Sequence, residues 1–249
     1  MKTLATDLDG TLYLDNVLIN GVQSAYNSLI SNNFQIFHTT NNSSQSTDII
    51  ATKLSNLLSI DIDIESIVTP LVVLKEFLKN KNYSLYVYGS KEIKDFVSSI
   101  TNTVKEIDNC DFIIMGRVDS PSQDELDTIA EFIKSGVKGA TLNKDLTYPI
   151  SPTEFKPGNG QIAKYVESKA KRELESFGKE GKLYSKYFQD KNITIDYVIG
   201  DRVDTDIIFG NKIGATSVLV KSSIENHMTE DIADQKFKDF AGFVSSIIK

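Results

Sequence analysis

The stretch DLDGT at residues 7–11 follows a short β-compatible segment, residues 3–6, and largely decides how the chain is interpreted. The segment predicts a strand, and Gly10 predicts a turn at its carboxyl end. On an extended backbone, Asp7 and Asp9 would share a face. Two carboxylates at that spacing favour a bound cation, because without one the pKa of one of them would have to rise. The stretch therefore predicts a Mg²⁺ site, although a solvated acidic turn is the alternative.

A second acidic stretch, GDRVDTD at residues 200–206, follows another apolar segment, residues 197–199. In open parallel sheets, ligands bind outside the carboxyl ends of the strands. Both stretches could therefore supply oxygen ligands to one hard cation, despite their distance in the sequence. The alternative is a helix N-terminus rich in Asp, which the helix dipole favours without any function.

The spacing of apolar residues predicts a helix from Val22 and a strand over residues 34–39. Strand, helix and strand in this order form a βαβ unit, which implies a parallel sheet covered by helices. The middle third repeats the alternation, with strands predicted at residues 84–88, 112–115 and 140–143. No Pro/Ser-rich linker divides the chain, so a second domain would be inserted. The predicted fold class is α/β, with a doubly wound, Rossmann-like parallel sheet.

Composition narrows the classes of function. The 249 residues carry a net charge of -7, which disfavours nucleic acid as a partner. Cys110 is the single cysteine, so an intramolecular disulfide is impossible and we expect a cytoplasmic protein. The apolar runs are far shorter than the roughly 20 residues that span a bilayer, so no membrane partner is expected.

Four motifs in order resemble those of the haloacid dehalogenase-like phosphatases: DLDGT at 7–11, TNNS at 40–43, Gly178-Lys179, and GDRVDTD at 200–206. The extended first motif and the TNNSS run are similar to the branch with N-acetylglucosamine-phosphate-phosphatase-like proteins, pyridoxal phosphate phosphatases and nitrophenyl phosphatases. This resemblance implies a Rossmann-like core, residues 1–82 and 174–249, with an inserted α/β cap domain, residues 83–173. It also implies that the cap sets specificity and that a homodimer could form through it.

The resemblance implies a Mg²⁺-dependent phosphomonoesterase that acts on small phosphorylated metabolites and on 4-nitrophenyl phosphate. Asp7 would be the nucleophile and form an aspartyl-phosphate, and Asp9 would be the general acid and base. The metal ligands would be Asp7, the backbone carbonyl of Asp9, and Asp201, with Asp206 behind them.

The remaining implied site residues surround the phosphoryl group of the substrate. Thr40 would donate a hydrogen bond to it through its hydroxyl, and Asn41 through its backbone N–H. The resemblance also assigns Gly10 and Asn42 to substrate binding. Lys179 would offset the charge that develops in the transition state.

Two lysines compete for that last role, because the family pattern is Gly-Lys-Pro and neither matches it fully. Lys179 has the preceding Gly but is followed by Glu180, whereas Lys156 is followed by Pro157. The spacing to Asp201 leaves room for one helix and one strand after Lys179, which favours Lys179.

Other functions stay open at this point. A non-catalytic phosphate- or metal-binding regulatory protein of the same fold is one alternative, and a phosphotransferase or phosphomutase is another. A receiver module is disfavoured because such modules are about half this length and accept phosphate from a kinase. A dehalogenase would not need the second Asp. The sequence does not define the physiological substrate.

Overall fold

The structure, a computed structural model, describes residues 1–149, 154–221 and 229–248. In chain order, the first half contains β1 (Thr3–Thr6), β2 (Tyr13–Leu14), β3 (Val17–Leu18), α1 (Val22–Ser31), β4 (Gln35–Thr39), α2 (Thr47–Leu58), β5 (Ile67–Val68), α3 (Pro70–Leu78), β6 (Leu85–Tyr88), α4 (Lys91–Ile100), β7 (Thr103–Val104), β8 (Phe112–Met115) and α5 (Gln123–Ser135). The second half contains β9 (Lys138–Thr141), β10 (Thr147–Pro149), β11 (Phe155–Pro157), α6 (Asn159–Ala170), β12 (Glu175–Ser176), α7 (Lys182–Asp190), β13 (Tyr197–Gly200), α8 (Ile208–Ile213), β14 (Thr216–Val220), β15 (Gln235–Phe237) and α9 (Phe240–Ile247).

The chain forms two compact units. The first comprises Met1–Thr40, Ser46–Val68 and Phe188–Lys249, and the second comprises Asn41–Gln45 and Thr69–Tyr187. The second unit is thus inserted in the sequence of the first.

These boundaries differ from the predicted ones at residues 83 and 173. The main reason at the carboxyl side is β12, which pairs in parallel with β9 and so belongs to the second unit. The predicted core range 174–249 also includes residues 222–228 and 249, which lie outside the described residues.

The first unit is built on a parallel sheet of six strands in the order β15-β14-β13-β1-β4-β5. From β1 the chain moves to β4 and β5 on one side, and it later returns to the other side as β13 and β14. This reversal of direction beside β1 is the topological switch point at which open α/β sheets bind ligands. The doubly wound parallel α/β fold is therefore confirmed.

Apolar side chains from the sheet and its helices form the core of the first unit, for example Leu4, Leu54 and Phe243, which are all fully buried. Burial of this kind is the dominant favourable term in folding. The strand positions within residues 3–6 are all buried, as expected for a parallel sheet covered on both faces. The core fixes β1 and leaves its carboxyl end as a turn.

The second unit has its own parallel sheet, in the order β12-β9-β8-β6-β7, and its own apolar core. At the start of helix α5, the hydroxyl of Ser122 accepts a hydrogen bond from the backbone N–H of Glu125. Gly136 ends the same helix with a φ of 121°. Ser122 and Gly136 thus define the start and the end of this helix.

Helices α3, α4, α8 and α9 were not predicted from the sequence. In α3 the residues Pro70, Leu71, Val73, Leu74 and Leu78 are all buried. Residues 71–74 form an unbroken apolar run, and such a run is compatible with a strand as well as with a buried helix. Across the described ranges, no helix combines the length and the apolar character that crossing a bilayer requires.

Candidate active site

The pairing of β1 with β13 brings the two acidic stretches together. Thr6 lies opposite Ile199, and the backbone N–H of Asp7 donates to the carbonyl oxygen of Ile199 at 2.8 Å. Each acidic stretch begins where its strand ends, so parallel pairing leaves both at the same edge of the sheet. The predicted meeting of residues 7–11 and 200–206 is thus observed within the first unit.

Three carboxylates converge at this edge. Asp7, Asp201 and Asp206 each offer one oxygen, and these oxygens all lie within 4.8 Å of one another. Their exposed fractions are 7%, 1% and 1%. Three buried carboxylates so close together repel one another and have lost hydration, which a cation would offset. An all-oxygen, all-carboxylate set suits a hard divalent cation such as Mg²⁺, Mn²⁺ or Ca²⁺.

Asp206 offers its oxygen within the same distance as the other two carboxylates, although the sequence analysis placed it behind the ligands. The reason lies in the backbone after β13, where Val203–Ile207 forms a π-helical turn. The backbone N–H of Arg202 donates to Asp206 Oδ2 at 3.1 Å. Asp204, in contrast, accepts two hydrogen bonds from the Arg202 guanidinium, at 3.0 and 2.7 Å.

Two glycines make room for the carboxylates. A Cβ atom on Gly10 would lie 2.3 Å from Asp201 Oδ2, and Gly10 has a φ of +90°, where other residues are strained. A Cβ atom on Gly200 would lie 2.2 Å from Asp206 Cγ. Both positions therefore need glycine for space. The N–H of Gly10 donates to the carbonyl oxygen of Tyr13 at 2.8 Å, and this hydrogen bond stabilises the turn.

The two carboxylates of the first stretch have different surroundings. Asp7 is buried and accepts a hydrogen bond from the Thr11 hydroxyl at 3.2 Å. Asp9 is exposed, and its Oδ2 accepts from the Tyr13 hydroxyl at 3.3 Å. The strand ends at Thr6, so the argument that Asp7 and Asp9 share a strand face does not extend to Asp9.

Tyr13 is a site residue to which the sequence analysis gave no role. Burial raises the pKa of its phenol well above the ordinary value, and the carboxylates of Asp9 and Asp7 raise it further. Tyr13 therefore stays protonated and can donate to Asp9. The sequence signal for this contact was that Asp9 and Tyr13 lie four residues apart, with Gly10 in the turn between them.

Thr40 follows β4, the other neighbour of β1. It is 5% exposed, and its backbone N–H donates to the carbonyl oxygen of Val68 at 3.1 Å. The register that sets Thr6 opposite His38 places Thr40 beyond the carboxyl end of β4. The first unit therefore holds Asp7, Asp9, Gly10, Thr40, Asp201 and Asp206.

Asn41, Asn42 and Lys179 belong to the second unit. The backbone N–H of Lys179 donates to Asn41 Oδ1 at 2.8 Å, and Lys179 is 2% exposed. Asn42 Oδ1 accepts from the backbone N–H of Ser44 at 2.9 Å, which stabilises the local turn. The competing Lys156 is exposed on β11.

Sequence analysis also missed a group of polar residues around Asn41. Asn143 donates through Nδ2 to the backbone oxygen of Asn41 at 2.9 Å. Asn41 Nδ2 donates to Asp145 Oδ1 at 2.9 Å and to Glu180 Oε2 at 3.2 Å. The signal for Asn143 was its place at the end of a predicted strand, where ligand-binding residues of parallel sheets occur.

Comparisons with known proteins agree with this geometry. A family model described as haloacid dehalogenase-like hydrolase matches residues 4–101, and one described as HAD-like hydrolase matches residues 192–243. These two ranges contain the two acidic stretches.

Curated relatives extend the similarity over nearly the whole chain. An acid sugar phosphatase of Staphylococcus haemolyticus is 26% identical over 260 aligned positions, covering 100% of this chain and 97% of the relative. A dihydroxyacetone phosphatase of Corynebacterium glutamicum is 27% identical, with coverages of 89% and 81%.

Among solved structures, a 4-nitrophenylphosphatase from Thermotoga maritima has a TM-score of 0.82 and 23% identity, covering 98% of this chain and 97% of that chain. At this identity the likeness shows the fold alone. The two family models, which together match more than half of the chain, and the curated phosphatase relatives show that the chain belongs to the haloacid dehalogenase-like hydrolases, among the phosphoric monoester hydrolases of that family.

Proposed function

We propose that the protein is a Mg²⁺-dependent phosphatase of small phosphomonoesters that acts through an aspartyl-phosphate on Asp7. The observation that carries this proposal is the buried triad of Asp7, Asp201 and Asp206 at the switch point of the parallel sheet. The names of the relatives favour sugar phosphates and dihydroxyacetone phosphate as first candidates for substrates.

Asp7 and Asp9 would divide the chemistry. Asp7 is buried and oriented by Thr11, as a nucleophile that attacks one phosphorus atom requires. Asp9 is exposed and next to Tyr13, so its carboxyl can reach a leaving group and later a water molecule. It would protonate the leaving alkoxide and then take a proton from the attacking water.

The residues that would hold the metal are Asp7, Asp201 and Asp206, with the backbone carbonyl of Asp9 as a further ligand from the family resemblance. Their donor atoms and burial fit a hard divalent cation. Bound Mg²⁺ would offset the repulsion between the carboxylate of Asp7 and a dianionic phosphate ester.

Thr40, Asn41 and Lys179 would stabilise the phosphoryl group, by the hydroxyl, the backbone N–H and the ammonium, respectively. Lys179 is preferred over Lys156 because it is buried and its backbone is tied to Asn41. Gly10 and Asn42 remain proposed substrate contacts. The inserted unit would act as the cap that sets specificity, and a homodimer through it remains a prediction.

The test is phosphate release from a panel containing 4-nitrophenyl phosphate, sugar phosphates and dihydroxyacetone phosphate, with Mg²⁺ and with EDTA. Wild-type protein should hydrolyse members of the panel only with Mg²⁺. Asp7→Asn should lose at least about 10³-fold in kcat, because it removes the nucleophile. Asp61→Asn, a change at an exposed aspartate, is the matched control.

Silence of the wild-type protein across the panel would favour the non-catalytic binding protein. Transfer of the phosphoryl group to a second substrate, without release, would favour the phosphotransferase. Activity of Asp7→Asn at the wild-type rate would contradict the covalent mechanism.

A further inference from the structure

Glu180 stands where the family pattern has proline, and the structure gives its carboxylate several partners. Oε1 accepts from the backbone N–H of Lys144 at 2.8 Å and from the hydroxyl of Ser176. Oε2 accepts from Asn41 Nδ2 at 3.2 Å. One half-buried carboxylate therefore joins three separate segments of the second unit.

The contact with Asn41 determines how that amide is oriented. Its Nδ2 faces two carboxylates, Glu180 and Asp145, which can only accept when ionised. The amide must therefore keep Nδ2 toward them and Oδ1 on the opposite side. That Oδ1 accepts the backbone N–H of Lys179 at 2.8 Å.

The turn that carries Lys179 is closely packed around the same carboxylate. The N–H of Gly181 donates to the carbonyl oxygen of Gly178 at 2.8 Å. A Cβ atom on Gly178 would lie 2.5 Å from Glu180 Oε2, and one on Gly181 would lie 2.0 Å from the carbonyl oxygen of Ser176. Both glycines thus allow the turn to bring Glu180 against its partners.

We propose that Glu180 is a positioning residue for Lys179: it fixes the amide of Asn41, which in turn holds the Lys179 backbone. The inference rests on the proposed function, in which Lys179 carries the positive charge of the transition state. Asn41 directly follows Thr40 in the chain, so the same amide ties the Lys179 turn to the segment proposed to bind the phosphoryl group. Glu180 performs by hydrogen bonding what a proline would do by restricting the backbone.

The kinetic test compares Glu180→Ala with Glu175→Ala, a change at an exposed glutamate of β12. We expect Glu180→Ala to lower kcat about tenfold to a hundredfold with KM nearly unchanged, because a misplaced charge acts on the transition state. Glu180→Gln keeps the shape of the side chain, so its kcat should lie between the kcat of Glu180→Ala and that of the wild-type protein. Unchanged kcat in Glu180→Ala would overturn the inference.

A double-mutant cycle separates positioning from a general structural role. If Glu180 acts through Lys179, then adding Glu180→Ala to Lys179→Ala should cause no further loss of kcat. Full additivity of the two losses would overturn the inference and leave the proposed phosphatase function intact. Equal kcat in Lys179→Ala and the wild-type protein would instead contradict the role proposed for Lys179.

A readout independent of turnover is hydrogen exchange, measured by NMR on the full chain. The backbone amide of Lys179 should be protected in the wild-type protein, and Glu180→Ala should lower this protection at least about tenfold, while Glu175→Ala should not. The same protection in both variants would overturn the inference even if the wild-type protein released no phosphate. Failure of the positioning inference can thus be distinguished from failure of the proposed phosphatase function.

Discussion

The acidic turns after β1 and β13 have similar parts but bury different proportions of their charge. Each pairs aspartates with a glycine that leaves space for a carboxylate. In the first turn Asp7 is buried and Asp9 is exposed, whereas in the second turn both Asp201 and Asp206 are buried. Asp204 of the second turn is half-buried, and its carboxylate pairs with the guanidinium of Arg202.

The difference indicates a division of labour between the turns. A carboxylate that exchanges protons with substrate and water must reach both, and Asp9 is the member of the set that is accessible. A carboxylate that holds a cation benefits from burial, because electrostatic attraction is stronger away from water. The first turn is therefore suited to chemistry, and the second to holding charge in place.

The largest effect that would test this comparison is expected in the first turn. Asp9→Asn keeps the shape and the contact with Tyr13 but removes the proton donor, so kcat should fall about 10²- to 10⁴-fold. The loss should be smaller for 4-nitrophenyl phosphate than for an alkyl phosphate, because nitrophenolate leaves without needing a proton. The losses are compared in kcat/KM, which covers the steps up to departure of the alcohol and not the later attack of water, and equal losses in kcat/KM would contradict the acid role.

At low pH, protonation of a buried histidine lowers stability and adds to any effect of protonating the aspartates of the two turns. His38 on β4 is buried between Tyr26 and Ser66, and burial lowers its pKa to about 4. The unfolded state takes up a proton near pH 6.5, whereas the folded state resists it. Stability should therefore fall as the pH drops from about 6.5 to about 4, by about 3 kcal/mol from this residue.

Urea unfolding of wild-type protein and His38→Gln at pH 7 and pH 4.5 measures this contribution. The loss between the two pH values should be smaller in His38→Gln, because glutamine does not titrate. An equal loss in both proteins would assign the acid sensitivity to other groups, for instance to the carboxylates of the turns.

A smaller effect is expected from the second turn. Asp206→Asn should raise the Mg²⁺ concentration needed for half-maximal activity about 10- to 100-fold. In EDTA the same variant should melt at a higher temperature than the wild-type protein, because one of three repelling carboxylates has been neutralised. Asp204→Asn is the matched control, and an equal change in metal requirement there would break the distinction between the two residues.

The sequence predicted the elements that carry the acidic turns well, because their signals are local. Strand β1 coincides with the predicted segment 3–6, and β13 begins at the predicted residue 197 and ends one residue later than predicted, at Gly200. The meeting of the two turns followed from the rule for strand ends in parallel sheets. Asp7 and Asp201 could thus be assigned to one site from the sequence, without knowledge of the three-dimensional structure.

What escaped prediction depends on contacts between distant segments. Strand β12 has two residues, and only its pairing with β9 reveals to which sheet it belongs. The partners of Glu180 come from three segments, so nothing in residues 178–181 shows that its carboxylate is engaged. Even the surroundings of Asp9 depended on a turn whose exact path the motif does not determine.

The two strands beside β1 are far apart in the chain, and this has a consequence for biosynthesis. During translation β1 and β4 leave the ribosome early, but β13, which carries Asp201 and Asp206, follows only after the whole inserted unit. A nascent or truncated chain that ends before β13 holds one acidic turn and cannot complete the carboxylate triad. Under the proposed mechanism, such a chain would lack two of the three carboxylates that hold the metal and would release no phosphate.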